Sequence, residues 1–139
     1  MGRKNHETRL QFIVVDYLRS VLPREALFWH CPNGGKMSLA WRKMLGGLGV
    51  QPGASDLMLV YGGRFYAIEL KTEADDLLGI PKTYQKPNQK DFEAQTVRAG
   101  GFDAVCRSTM DVRDVLAHWC IPTRETAPLC SASSVRATA

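Results

Sequence analysis

The spacing of apolar residues predicts alternating helices and strands along the first half of the chain. Asn5 can cap a first helix that ends near Pro23. Its apolar positions recur at steps of three and four residues: Leu10, Val14, Tyr17, Leu18 and Val21. Residues 26–31 predict a short strand and residues 32–36 a turn. A second helix is expected after a Ser38 cap, with an inner face formed by Trp41, Leu45 and Leu48.

The second half of the chain continues with a hairpin, a helix, a strand and a last helix. Two apolar runs flank Gly62-Gly63, and two prolines exclude a continuous helix at 72–88. A helix near Asn88 carries Gln89, Phe92, Thr96 and Ala99 on one side; a strand at 103–107 and a helix at 110–119 follow. These elements predict an α/β fold, one mixed sheet with helices on both faces. We expect one domain at 1–120 and a flexible tail at 121–139.

The predicted hairpin brings two acids together at one end of the sheet. Its two-residue Gly-Gly loop fixes a register in which Leu57 opposes Ile68 and, one step further, Asp56 opposes Glu69. Opposed Cβ atoms lie about 4.5–5.5 Å apart. At ~5 Å and an effective dielectric constant of about 20, two carboxylates repel by roughly 3 kcal/mol. The alternation of side chains also places Lys71 on the same face as both acids.

This arrangement has a structural and a functional interpretation. In the structural one, Lys71 forms an ion pair with Glu69 at the edge of a sheet. In the functional one, the two carboxylates hold a hard divalent ion, because oxygen ligands select Mg²⁺, with Mn²⁺ as a substitute. The hairpin alone does not decide between them.

Composition narrows the class of protein without deciding its function. The 139 residues are 45% hydrophobic and 23% charged, as is typical of a soluble globular domain. The net charge of +4 permits a phosphate-rich partner without requiring one. The four cysteines show no metal-binding spacing, so we expect reduced thiols. Because there is no apolar leader and no membrane-length run, we expect a cytoplasmic protein.

Four short motifs follow one another along the chain: PGASD at 52–56, ELK at 69–71, QKDF at 89–92 and AGG at 99–101. In this order they resemble the VRR-NUC branch of the PD-(D/E)XK nucleases. HCPNGGK at 30–36 also resembles a segment that stand-alone phage and bacterial members carry. The resemblance spans about residues 5–119. It implies a restriction-endonuclease-like core and metal-dependent hydrolysis of DNA.

The resemblance also implies a role for each matching residue. Asp56 and Glu69 would bind the divalent ion, and the backbone carbonyl of Leu70 would add a ligand. Lys71 would orient or help deprotonate the attacking water and stabilise charge on the phosphate. Gln89 matches a glutamine that lies close to the metal at the start of a helix.

Other positions extend this match or depart from it. Glu7 matches an acid on the first helix that reaches the metal directly or through water, and its spacing continues the buried stripe of that helix. The family often has proline where this chain has Ser55. The segment after ELK is longer than expected and contains a second candidate, Gln85. We favour Gln89, because it lies one helical turn before a core phenylalanine.

Basic residues near the motifs are candidates for binding DNA phosphates, although each alone is more simply a solvated charge. They are Lys36, Arg42, Lys43, Lys86 and Lys90. His30 and Asn33 are interpreted first as structural residues, with a place at the active site as the alternative.

The substrate expected from the resemblance is branched or flapped DNA, cleaved by a homodimer similar to Holliday junction resolvases. The protein would recognise the shape of the DNA and its phosphate backbone, because the sequence shows no helix-turn-helix pair, zinc finger or basic arm. One alternative is a restriction-like or nicking nuclease with another substrate preference. Another is a non-catalytic DNA-binding module that keeps the fold as a scaffold. The two acids that repel each other argue against a scaffold.

Overall fold

A computed structural model describes residues 3–32, 37–72 and 85–125, which form an α/β fold. The elements in chain order are α1 (Arg3–Val21), β1 (Leu27–His30), α2 (Leu39–Gly47), β2 (Leu57–Tyr61), β3 (Arg64–Leu70), α3 (Pro87–Arg98), β4 (Phe102–Cys106) and α4 (Thr109–His118). The predicted order of helices and strands is confirmed. Most of the predicted turn at 32–36 and of the polar stretch at 72–88 lies outside the described residues.

The four strands form one mixed sheet in the order β1-β2-β3-β4. β2 is antiparallel to β1 and to β3, whereas β3 and β4 are parallel. The hairpin has the predicted register, with Leu57 opposite Ile68. The paired ladder ends at Leu57, so Asp56 and Glu69 are neighbours of the last ladder pair and do not form one themselves. Beyond this point the Leu70 N–H of β3 donates to the Asp56 side chain, in place of a backbone carbonyl of the next ladder step.

The two faces of the hairpin enter two separate cores, as the alternation of its side chains predicts. Leu59 and Ile68 pack in the larger core, which contains Leu18 of α1 and Leu116 of α4. On the opposite face, a smaller core forms around Met58, Ala54 and Ala67, against which Phe92 of α3 packs. Fully burying an aliphatic side chain contributes about 1.5–3 kcal/mol. Both cores therefore fix the orientation of the strand ends that carry the acids.

The first two helices differ in part from their predicted form. α1 begins at Arg3, so Asn5 lies inside the helix and is not its cap. α2 does begin after Ser38, whose hydroxyl accepts the Trp41 N–H at 3.2 Å. None of the residues of α2 is buried, however, and Leu48 is 73% exposed. The predicted inner face of α2 is wrong, because Trp41 and Leu48 are exposed and no residue of the helix is buried.

The packed chain continues past residue 120, where the tail was expected to begin. Ile121 is buried in the larger core, and the Arg124 N–H donates to the Val21 carbonyl at 2.8 Å. Residues 126–139 lie outside the described part of the chain.

Cys31 and Cys106 carry free thiols, but Cys120 is disulfide-bonded, so the prediction of four reduced cysteines is wrong. Within the three described ranges, no helix is both long and apolar enough to span a membrane.

Candidate active site

Three polar side chains converge where β3 ends and α3 begins. Glu69 is the last but one residue of β3, Lys71 follows the strand, and Gln89 lies in the first turn of α3. Lys71 Nζ lies 3.3 Å from Glu69 Oε1 and donates to Gln89 Oε1 at 3.2 Å. Gln89 Nε2 donates to Glu69 Oε1. The three groups therefore hold one another in a closed set of polar contacts.

Asp56 joins this site through the backbone of both neighbouring strands. Its Oδ2 accepts the Leu70 N–H at 2.8 Å. Its carbonyl accepts the Cys31 N–H at 3.1 Å and lies 2.7 Å from His30 Nδ1. These bonds direct the carboxylate of Asp56 towards the end of β3, beside Glu69. His30 thus has the expected backbone partner and also lies at the site.

The start of α3 reaches the site through a close backbone contact. Gly53 has φ +75°, and a Cβ at this position would lie 2.3 Å from the backbone carbon and oxygen of Asn88. Only glycine combines that backbone conformation with such an approach. At the same helix end, the Lys86 N–H donates to Gln89 Oε1 at 2.9 Å. The glycine of the PGASD motif therefore helps to place Gln89 against Glu69.

Burial makes both acids weaker than usual in this structure. The pKa of Glu69 rises to about 7, first because the carboxyl is buried and second because Asp56 is negatively charged, while Lys71 opposes the rise. Burial also raises the pKa of Asp56; its hydrogen bond and nearby cations lower it, and the charge of Glu7 raises it. Two acids that disfavour each other's charge form a site that a cation would stabilise.

The available oxygens fit a hard divalent ion. Asp56 Oδ1 and Glu69 Oε2 accept no hydrogen bond from the described part of the chain. Among residues 3–32, 37–72 and 85–125, no cluster of three or more His, Cys, Asp or Glu could hold an ion. Mg²⁺ is usually held by one or two carboxylates and keeps several waters. Two carboxylate oxygens completed by water match that preference.

The two glutamine candidates differ in position. Gln89 forms hydrogen bonds with both Glu69 and Lys71, whereas Gln85 forms none with either of them in the described chain. Gln85 is buried and lies along a groove of α3, together with Lys90. The geometry therefore brings Gln89 to the acids.

Glu7 is the predicted site residue on α1. Glu7 is exposed, contrary to the expected buried position, but its charge raises the pKa of Asp56 and so acts on the site. A helix end remains accessible beyond the apolar stripe, which explains the exposure.

The basic candidates divide into two groups. Lys86 and Lys90 are exposed on either side of Gln89, at the start of α3. Arg42 and Lys43 are exposed on α2 and form no side-chain hydrogen bond or ion pair with a site residue within the described ranges. Lys36, like Asn33, lies outside the described residues.

One acid of the site was missed from the sequence. Ser55 Oγ donates to Asp103 Oδ2 at 3.1 Å. Burial raises the pKa of Asp103 to about 6, with Ser55 opposing the rise and Glu93 adding to it. The charge of Asp103 also raises the pKa of Glu69. The available signal was an acid inside an otherwise apolar strand.

Comparison with known proteins agrees with the fold described above, an α/β mixed sheet flanked by helices. A solved structure described as a VRR_NUC domain protein superposes with a TM-score of 0.61 at 18% sequence identity, and the match covers 82% of this chain and 87% of that chain. No protein-family model and no curated protein sequence matches the chain. The predicted resemblance to the VRR-NUC branch is thus confirmed at the level of the fold.

Proposed function

We propose that this chain is a metal-dependent DNA endonuclease of the VRR-NUC type. One observation carries the proposal: Glu69, Lys71 and Gln89 hold one another beside Asp56, on a fold shared with a VRR_NUC domain protein. Buried acids with raised pKa values weaken a fold unless something balances their charge. A bound cation and an anionic substrate would supply that balance.

In the proposed mechanism, Asp56 and Glu69 would hold Mg²⁺, or Mn²⁺ in its place, and the Leu70 carbonyl would add a ligand. When bound, such an ion polarises a phosphoryl oxygen and lowers the pKa of an attacking water. Asp56 is suited to this role because its carboxylate is already fixed by the Leu70 amide. Glu69 is suited because its buried carboxyl keeps one oxygen free of hydrogen bonds from the described chain.

Lys71 would act on the phosphate and on the attacking water. Its side chain is only 13% exposed, and Glu69 and Gln89 hold its ammonium group. A preorganised positive charge stabilises the negative charge that develops on phosphate oxygens during attack. The same ammonium group can orient the water by a hydrogen bond. Gln89 keeps Lys71 in position for both tasks.

The expected substrate is DNA of a particular shape. Lys86 and Lys90 are exposed beside Gln89, so DNA phosphates are the groups that these side chains would bind first. Contacts to phosphates position a protein on DNA but carry no base sequence. We therefore propose branched or flapped DNA, with cleavage similar to that by Holliday junction resolvases.

A homodimer is part of the proposal, and the apolar stripe of α2 is its proposed contact. Trp41, Met44 and Leu48 share one side of the helix and are 49%, 46% and 73% exposed. They present on the order of 300 Å² of apolar surface, about the size of the largest patch on a typical monomer. A standard interface uses roughly 800 Å² on each partner, so the stripe would be its centre.

Sedimentation of the wild type and of two variants tests the homodimer. Trp41→Lys should give monomers, because it places a charge in the proposed interface. Met110→Lys is the control, since Met110 is also exposed, at 68%, but lies on α4. A wild type that is monomeric, or a Trp41→Lys variant that remains dimeric, would contradict the proposal.

The nuclease proposal is tested by incubating the protein with four-way junction, flap, linear and single-stranded DNA in Mg²⁺, Mn²⁺ or EDTA. We expect cleavage of the branched substrates with either metal and none in EDTA. The Asp56→Asn and Lys71→Ala variants should not cleave these substrates. Cleavage in EDTA, or cleavage that survives both substitutions, would refute the mechanism. Binding without cleavage would favour the non-catalytic DNA-binding module.

A further inference from the structure

Asp103 is a carboxylate in a strand whose neighbours are apolar. It is the second residue of β4 and lies opposite Ala67 of β3 in the parallel pair. A β-branched apolar residue would fit a half-buried strand better. Its hydrogen-bond partner is Ser55, which is itself only 3% exposed. The carboxylate of Asp103 therefore acts on the protein through its hydrogen bond with Ser55.

Ser55 is the residue directly before Asp56, so its hydrogen bond acts on the turn that carries a proposed metal ligand. On one side, Ser55 Oγ donates to Asp103 Oδ2 at 3.1 Å and ties the turn to β4. On the other side, the Leu70 N–H donates to Asp56 Oδ2 at 2.8 Å and ties it to β3. Two bonds to two neighbouring strands thus fix the position of Asp56.

We propose that Asp103 is a positioning residue of the candidate metal site, which holds Asp56 in place through Ser55. The inference rests on the proposed function. Serine does not fix its own φ as proline does. The hydrogen bond from Ser55 to the half-buried carboxylate of Asp103 restrains the turn instead. Residues that hold a metal ligand in this way commonly change metal affinity by 10–100-fold when they are replaced.

The first test needs no metal. Because the Leu70 amide donates to Asp56 Oδ2, its hydrogen exchange reports the position of that carboxylate. In EDTA, Ser55→Ala and Asp103→Leu should each speed Leu70 exchange about tenfold, a typical loss for a charge-assisted bond. Exchange of the Lys71 amide, which donates to the Cys106 carbonyl at 2.9 Å, is the control and should not change.

The second test compares Mn²⁺ affinity, measured by calorimetry, across a set of matched variants. Asp103→Leu should weaken binding about tenfold. Asp103→Asn keeps an oxygen that can accept from Ser55 and should restore most of the affinity. In a Ser55→Ala background, Asp103→Leu should have little further effect, because the bond is already gone.

These outcomes separate the inference from the function on which it rests. If the wild type binds Mn²⁺ but both Ser55→Ala and Asp103→Leu leave Leu70 exchange unchanged, the positioning role is wrong. An Asp103→Asn variant that binds Mn²⁺ as weakly as Asp103→Leu would also overturn it, because charge alone would then explain the effect. A wild type that binds no Mn²⁺ would refute the proposed function itself. Should Asp103→Leu fail to fold, Ser55→Ala removes the same bond without adding bulk.

Discussion

Replacing Gly53 by alanine should damage the candidate site as well as the fold. At φ +75°, a Cβ on residue 53 would lie 2.3 Å from the backbone carbon and oxygen of Asn88 and 2.7 Å from the Gln89 nitrogen. Ordinary contacts begin at 3.4 Å, so the start of α3 must retreat by about 1 Å. Gln89 would then move away from Glu69 and Lys71.

The expected loss of stability has two parts. A positive φ costs alanine about 1–2 kcal/mol. Overpacking against backbone atoms, which cannot rotate away, adds about 1–3 kcal/mol. Gly53→Ala should therefore lower the free energy of unfolding by about 2–5 kcal/mol. Gly63→Ala is a matched control, because Gly63 has φ +74° but nothing within 4 Å of its Cβ position. Gly63→Ala should therefore lose only the about 1–2 kcal/mol that a positive φ costs alanine.

Urea unfolding and the Mn²⁺-induced rise in the thermal midpoint measure the two effects separately. Gly63→Ala should keep the rise seen in the wild type, because its substitution lies at the far end of the hairpin. Gly53→Ala should lose most of it, because Gln89 no longer orients Glu69. If the two variants are equally destabilised and respond equally to Mn²⁺, the contact at Gly53 does not position the site.

Three further predictions concern charges at the site. The pKa values of Glu69 and Asp103 rise to about 7 and about 6, above their ordinary values of 4.5 and 3.8. Each acid therefore stabilises the metal-free fold only while it is protonated. The urea midpoint of the wild type should fall as the pH rises from about 5 to about 8. The fall should be smaller in Asp103→Asn, which lacks one of the two acids. Gln89→Ala should abolish metal-dependent cleavage, whereas Gln85→Ala should retain it; the reverse result would reassign the glutamine. Glu7→Gln should weaken Mn²⁺ binding only a few-fold in calorimetry, because Glu7 is exposed; a loss of about 100-fold would make it a direct ligand.

Much of the hairpin could be predicted because local rules leave few choices. The Gly-Gly turn and the alternation of apolar residues allow one register, and both cores follow from it. The position of Gln89 also follows from local spacing, since Phe92 must face the sheet and Gln89 lies one turn earlier.

Other features depend on contacts that no local pattern records. The apolar stripe of α2 shows that the helix has an apolar side, but not that this side stays exposed in the fold. The bond between Ser55 and Asp103 joins residues 48 positions apart. The end of the ladder at Leu57 could not be predicted either, because the Leu70 N–H donates to the Asp56 side chain and not to a backbone carbonyl. That bond depends on the position of β3 relative to Asp56.

The most direct test of the nuclease proposal is the rate at which Lys71→Ala cuts a four-way junction at saturating Mn²⁺. Lys71 is not a proposed ligand, so the variant should keep the Mn²⁺-induced rise in thermal midpoint. Its cleavage rate should fall at least about 100-fold, the usual effect of removing a group that stabilises transition-state charge. Lys90→Ala, which changes an exposed lysine one residue from Gln89, should instead weaken DNA binding and leave the rate at saturating DNA nearly unchanged. A Lys71→Ala protein that cleaves at the wild-type rate would contradict the account.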